Sequence, residues 1–252
     1  MFKAKHLQGA YMRNYLSNGM GVNSVALHLY LLDQGIDFES VFVNHGTDWP
    51  ETYEYFRMFQ GWLITKGCPR ITVIKTDSLY DYALDYRMVP VMLRGRSARR
   101  WCTRLFKIEP LYKYYRKPCF EMIGIDIGEQ GRANIQVKDG VETRYPLIEA
   151  EINRAACKDI IRSHGLPLPM KSGCYICPGQ KVTQWRNLRN EHPELFCKAA
   201  QLEQRNMDYR ISQGKKAMFL NAQPKASLYS IVDEDQIQVF EQDEYPDCRC
   251  SV

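Results

Sequence analysis

The chain has 252 residues, enough to bury a sizeable core as one generous α/β domain or as a domain with an appended lobe. With 45% hydrophobic and 25% charged residues it has the composition of a globular enzyme, and no window approaches the run of about 18 apolar residues that a bilayer span needs. The opening MFKAKHLQGAYMRN also lacks the apolar stretch of a secretory leader, so a cytoplasmic protein is expected.

The formal charge is +5, and its distribution says more than the total. Between Arg87 and Arg116 stand nine basic residues against the single acidic Glu109, whereas the last twenty residues carry Asp233, Glu234, Asp235, Glu241, Asp243, Glu244 and Asp247. A local positive field suits a polyanion, either a nucleotide or a nucleic acid, and a solvated basic face is the bland alternative. Nine cysteines in a cytoplasmic chain read as ligands, nucleophiles or buried small side chains rather than as disulfides.

In chain order, YMRNYLSNGMGVNSVALHLYLL comes first, at residues 11 to 32. It predicts a strand through Tyr15 and Leu16, a turn holding Gly19 and Gly21, and a helix over 23–34 stopped by Gly35. Backbone N–H groups converge at such a turn, and the helix start adds its own, so an anion belongs there unless the turn is only a tight connection. The spacing is neither the dinucleotide fingerprint nor the Lys-bearing phosphate loop. FESVFVNHG is the next strand, which puts Asn44, His45, Gly46 and Thr47 at a carboxyl end, where open parallel sheets bind ligands. Asp48, Trp49 and Pro50 lead into a helix, and ITVIKT gives a third strand. Strand–helix–strand units of this kind predict a parallel sheet with right-handed crossovers and helices on both faces.

From Asp77 to Gly95 the pattern is irregular, with tyrosines at 80, 82 and 86, and reads as a lid or an aromatic surface excursion. Arg94, Arg96, Arg99, Arg100, Arg104 and Lys107 follow in quick succession, with a helix expected over 103–115. CFEMIGIDI is a buried strand, and Asp139-Gly140 marks a small hairpin. A helix over 149–164 ends at Gly165, the loop SGCYICPG comes next, and two helical tracts part near His192-Pro193. IQVF at 237 to 240 is a late strand candidate. The expected division is 1–148 for a nucleotide-binding domain and 149–252 for a helical, cysteine-containing lobe with an acidic tail.

Cys174 and Cys177 form a C-x2-C pair followed by Pro178, a spacing that grips one metal or one cluster; a redox dithiol is the rival. Cys102 and Cys157 are companion candidates, while Cys68, Cys119 and Cys197 read as buried small hydrophobes. Zinc on four cysteines is the runner-up to iron–sulfur.

Taken together, SNGMGVNS, VNHGTDWPET, RWCTRLFKIEPL, IGIDIGEQGR and KSGCYICPG resemble the phosphoadenosine-phosphosulfate reductase-like branch of the N-type ATP pyrophosphatases, over most of residues 11 to 205. The cysteine pattern is most similar to that of DNA phosphorothioation-linked and phage-borne members. The resemblance implies an adenine nucleotide alpha hydrolase-like fold and a pyrophosphate-binding loop at Ser17, Gly19, Gly21 and Ser24, with Asn23 where many relatives have Asp. It puts Asn44, His45, Gly46 and Thr47 beside the adenosine, and gives Asp48 and Glu51 the role of ordering either magnesium or the following helix. Arg100 and Lys107 become the basic pair on the phosphates, and Gly124 with Arg132 a second nucleotide-side motif. It makes Cys102, Cys157, Cys174 and Cys177 the candidates for a [4Fe-4S] cluster.

The implied chemistry uses ATP and Mg2+ to adenylate an acceptor, which a sulfur nucleophile presented or activated by the cluster then attacks; DNA or RNA is a candidate acceptor and a sulfur-donor protein a candidate partner. Two alternatives stand beside it. One is sulfonucleotide reduction through Cys248 or Cys250, although YPDCRCSV replaces the Glu-Cys-Gly ending of the true reductases. The other is a nucleic-acid-binding module with Arg94 to Lys107 as its phosphate-contacting stripe.

Overall fold

The structure is a computed structural model that describes residues 12–90, 100–133, 137–220 and 226–233. Its strands are β1 (Arg13–Ser17), β2 (Glu39–Asn44), β3 (Thr72–Lys75), β4 (Cys119–Ile123), β5 (Val137–Lys138) and β6 (Val141–Arg144). They form one six-stranded sheet in the order β3-β2-β1-β4-β6-β5. β1 runs parallel to β2 and to β4, β4 runs parallel to β6, and β5 and β6 form an antiparallel hairpin. The expected open, mostly parallel α/β sheet is therefore what the chain forms. From β1 the chain winds outward to β2 and β3, then returns to place β4 on the other side of β1. That reversal makes the space beyond the carboxyl ends of β1 and β4 the topological switch point, where sheets of this kind take their ligands.

The helices are α1 (Val22–Asp33), α2 (Pro50–Thr65), α3 (Leu79–Asp85), α4 (Trp101–Thr103), α5 (Glu109–Tyr114), α6 (Pro146–Glu149), α7 (Arg154–Ser163), α8 (Val182–Glu191), α9 (Pro193–Ser212) and α10 (Leu228–Asp233). A π-helical turn, Arg104–Ile108, joins α4 to α5, and a 3-10 turn spans Ile127–Arg132. None of the described helices is long and apolar enough to cross a membrane.

The chain divides into two compact units, each discontinuous in sequence. Unit 1 holds residues 1–42, 59–72 and 111–168, and unit 2 holds 43–58, 73–110 and 169–252. The sequential boundary expected near residue 148 does not coincide with this division, because α7 packs against α1 and so belongs to unit 1.

In unit 1, Tyr15 and Leu16 are consecutive and both buried, as befits an inner strand covered on both faces. The Tyr15 ring stacks on Tyr115 at 4.5 Å. α1 buries Val25, Ala26 and Leu29 and ends in a paired-amide stop: Gly35, at φ 62°, donates to the Leu32 carbonyl, and Ile36 donates to that of Leu31. The Asn153 side chain caps α7 by accepting from the Ala156 amide at 2.9 Å. The β5–β6 turn puts Asp139 and Gly140 at positive φ, 51° and 77°, as the sequence predicted for a two-residue hairpin.

In unit 2, Trp185 and Leu188 of α8 pack with Phe196 and Leu202 of α9 in one buried cluster. The segment after Asp77, expected to be an irregular lid, opens instead with α3. The Ser78 hydroxyl caps it by accepting from Asp81 at 3.2 Å. Tyr80 and Ala83 join the cluster, and the Tyr82 ring meets Phe106 edge-on at 5.3 Å. At seven residues the helix is too short to show a periodicity, which is why its tyrosines read as an excursion. Glu203, 2% exposed, closes the unit by accepting the Leu220 amide on one carboxylate oxygen and the Leu228 amide on the other, each at 2.8 Å. Arg94, Gly95, Arg96 and Arg99, the acidic residues from Glu234 onward, the 237–240 strand candidate and the Cys248–Cys250 pair lie outside the described residues.

Glu121 lies on β4 with 0% exposure and accepts a hydrogen bond from the Tyr115 hydroxyl at 2.9 Å. Its other oxygen is buried with no partner among the described residues. Burial pushes its pKa from 4.5 up to about 7, with the Tyr115 hydrogen bond pulling the other way. The folded chain thus holds this proton more tightly than the unfolded chain does. Its contribution is full below the ordinary carboxylate value and is lost as pH rises through about 7. Urea unfolding should show stability falling by ~1–3 kcal/mol between acid and mildly alkaline pH, and Glu121→Gln should flatten that dependence.

Candidate anion loop and metal centre

The turn after β1 lies wholly within unit 1. Asn18, 2% exposed, continues the strand with its amide donating to the Val41 carbonyl at 2.9 Å, while its side-chain oxygen accepts from the Met20 amide at 3.0 Å. Met20 itself takes a left-handed conformation, φ 58°, with its side chain 1% exposed. Gly21 then precedes α1, and the Ser24 hydroxyl accepts from the Gly21 amide and donates to the Gly21 carbonyl, at 3.1 and 3.0 Å. The first-turn amides of α1 have no acceptor within the helix, as at any helix start. Gly19 is exposed at the tip.

Two features pin the start of α1. Gly124, one residue past β4, approaches it so closely that a Cβ there would lie 2.8 Å from the Asn23 carbonyl carbon and from Ser24 N and Cα. Asn23, 5% exposed, donates its amide to Asp126 at 2.8 Å and to Glu129 at 3.1 Å, and its side-chain oxygen accepts from Arg154 at 2.8 Å. Arg132 is ion-paired with Glu129. Gly124 and Arg132, expected on the nucleotide side, therefore hold and flank the loop's own backbone. Asp126, Glu129 and Arg154 were missed by sequence reasoning, since more than a hundred positions separate them from Asn23.

A second constellation lies wholly within unit 2. The segment after β2 is zipped to the C-x2-C loop by two backbone hydrogen bonds, Tyr175 N to Thr47 O at 2.9 Å and Trp49 N to Gly173 O at 3.0 Å. Asp48 and Cys174 face each other between them in an isolated antiparallel bridge. His45, Asp48 and Cys174 are 1%, 6% and 8% exposed, and one ligand atom of each lies within 4.8 Å of the others. His45 Nε2 lies 3.5 Å from Asp48 Oδ2 and 3.8 Å from Cys174 Sγ, and Sγ lies 3.8 Å from Asp48 Oδ1. The other ring nitrogen, Nδ1, meets the Thr47 hydroxyl at 2.8 Å. Burial pushes the His45 pKa down to about 4 despite the pull of Asp48, with Lys107 adding to the depression. A looser group of Glu51, Glu191 and His192 stands elsewhere in the unit, with His192 Nε2 2.7 Å from Glu51.

The expected adenosine-side residues thus divide. Asn44 is half-buried and Gly46 exposed, but His45 and Thr47 are buried and engaged with the cysteine loop. Asp48, expected to order magnesium, faces Cys174. Arg100 and Lys107 are half-buried, and one guanidinium nitrogen of Arg100 is buried with no partner among the described residues.

Of the four expected cluster ligands, Cys102, Cys174 and Cys177 pack in or against the buried cluster of unit 2. Cys157 belongs to unit 1, fully buried on α7, its thiol pushed up to about 12 by burial and then by Asp126, with Arg154 opposing. Burial also raises the Cys102 thiol, against Thr103 and Lys107.

No family model matches the chain. An uncharacterized protein of Methanocaldococcus jannaschii, MJ0973, is 23% identical over 177 residues, which cover 64% of this chain. The chain spans only 40% of that relative's length. Among solved structures, the U34-tRNA thiolase NcsA from Methanococcus maripaludis, with its [4Fe-4S] cluster, aligns at a TM-score of 0.44 and 14% identity, over 90% of this chain and 82% of that one. A likeness that slight decides neither fold nor function.

The Asn23 contacts explain why an amide stands where many relatives of the resembled family carry a carboxylate. Asn23→Asp would set a third carboxylate against Asp126 and Glu129 and replace two donated hydrogen bonds by repulsion. It should lower stability by ~1–3 kcal/mol in thermal melts at neutral pH. Like charges raise carboxylate pKa values, so part of that loss should return at mildly acidic pH.

Proposed function

We propose that the chain is an ATP pyrophosphatase of the phosphoadenosine-phosphosulfate reductase-like kind, which adenylates an acceptor so that sulfur can replace an oxygen. The observation that carries this is the loop from Ser17 to Ser24, which presents helix-start amides at the switch point between β1 and β4. Phosphate oxygens of an adenine nucleotide are the anions such a cradle suits. The acceptor oxygen attacks the α-phosphorus in line and pyrophosphate leaves. A sulfur nucleophile then displaces AMP from the adenylated acceptor. Mg2+ accompanies the phosphates, while Arg100 and Lys107 are assigned by sequence alone to their developing charge. The acceptor is a nucleic acid, DNA or RNA, and sulfur arrives from a partner protein.

The thiols expected to hold a [4Fe-4S] cluster are divided, Cys157 in unit 1 and Cys102, Cys174 and Cys177 in unit 2. No step is assigned to a cluster.

The loop can be tested without disturbing the fold. A Cβ at Gly19 would meet nothing within 4 Å and its φ lies outside the left-handed region, so Gly19→Val leaves the chain folded while intruding where the anion would sit. Calorimetry should show ATP binding to the unaltered protein and at least a tenfold loss (~1.4 kcal/mol) in the variant, with an unchanged melting temperature. Absence of ATP binding, and of pyrophosphate release with nucleic-acid acceptors, would remove the proposal.

A further inference from the structure

The geometry points to a mononuclear metal site in unit 2, in which His45 Nε2, a carboxylate oxygen of Asp48 and Cys174 Sγ bind one divalent ion of the zinc class. The inference concerns unit 2 alone and is independent of the nucleotide loop.

Three observations carry it. The first is the size of the donor triangle. Tetrahedral zinc with bonds of about 2.0–2.1 Å to nitrogen, 2.0–2.2 Å to oxygen and 2.3 Å to sulfur separates its ligands by roughly 3.3–3.6 Å. His45 Nε2 lies 3.8 Å from Cys174 Sγ, with one Asp48 oxygen 3.5 Å from the ring nitrogen and the other 3.8 Å from the sulfur, and one ligand atom of each residue lies within 4.8 Å of the others, so a turn of the carboxylate and a small approach of the side chains would close the donors on one ion without rebuilding the loops.

The second is the direction of the histidine. A proton relay from thiol to imidazole to carboxylate places the thiol and the carboxylate on opposite ring nitrogens. Here Asp48 and Cys174 both face Nε2, while Nδ1 meets the Thr47 hydroxyl. That is the arrangement of a metal-binding imidazole, whose second nitrogen is held by an outer hydrogen-bonding group that fixes the ring.

The third is charge and burial. The Cys174 thiol donates to Asp48 Oδ1 at 3.8 Å within a buried group, and a divalent cation would take the place of that proton and neutralise the carboxylate and the thiolate together. The two backbone hydrogen bonds at Thr47–Tyr175 and Trp49–Gly173 hold both loops in place before any ion arrives. With three protein ligands the fourth position is open to water or to a sulfur donor, and Cys177 lies in the same turn, its amide donating to the Cys174 carbonyl at 3.0 Å.

The test uses the full chain, purified without chelators under anaerobic conditions. Elemental analysis should find one zinc-class ion per chain, and Co2+ replacement should give the near-ultraviolet thiolate-to-cobalt band with visible bands of tetrahedral cobalt. His45→Ala and Asp48→Asn should each weaken binding by at least ~100-fold in a competition titration with a chromophoric chelator. Thr47→Val, which keeps all three ligands, should weaken it by about 10–100-fold. Should these variants misfold, the cobalt spectrum of the unaltered chain still decides, since it reports thiolate ligation and tetrahedral geometry directly. Iron at four atoms per chain, retained in His45→Ala and lost in Cys157→Ser, would overturn the site in favour of a cluster. Absence of metal and of any cobalt spectrum would also overturn it. ATP calorimetry on metal-loaded and metal-stripped protein separates this outcome from the fate of the proposed function.

Discussion

The contact between Gly124 and the start of α1 is the constraint on which unit 1 depends. Backbone meets backbone there, and no side chain can stand between them. The end of β4 consequently fixes where α1 begins, and with it the height of the preceding turn above the sheet. Register adds the rest: Ser17 and Ile123 are partners on β1 and β4, so turn and glycine leave the sheet at the same level. The Asn23 clamp then prevents the helix start from rotating. A helix dipole acts only over its first turn, so a donor array is useful only if its position is set this tightly.

Unit 2 achieves a comparable placement by other means. A two-bond backbone zipper brings a histidine and an aspartate from the end of a strand against a cysteine more than a hundred residues later. The cysteine loop contributes Cys174, Tyr175 and Ile176 to the apolar cluster that it shares with α8 and α9. Polar groups buried in this way are costly unless satisfied, which explains why Thr47, at 0% exposure, turns its hydroxyl to the histidine ring.

Much of the scaffold was legible in the sequence, because β2 and β4 carry short apolar runs and several turns their own chemistry. Asp139-Gly140 and Gly35 announce their conformations through residue type alone. The same holds for the break at His192-Pro193 between α8 and α9. Partnerships across the fold were not legible. Nothing near Asn23 in sequence signals Asp126 or Arg154, and nothing near Cys174 signals His45. The C-x2-C spacing drew attention to sulfur neighbours, whereas the group that converges is mixed in nitrogen, oxygen and sulfur. Short elements were illegible for a different reason: seven residues of α3 complete only two turns, too few for a buried face to repeat.

The conformation of Met20 has a consequence for how the loop meets its ligand. A long side chain in the left-handed region costs on the order of 1 kcal/mol, and here anchorage of the thioether in the core offsets it. The turn is therefore held in one shape by packing from beneath, where glycines would leave it free to sample many. A preorganised receptor of this kind loses little conformational entropy on association, so more of each new hydrogen bond's free energy appears as affinity.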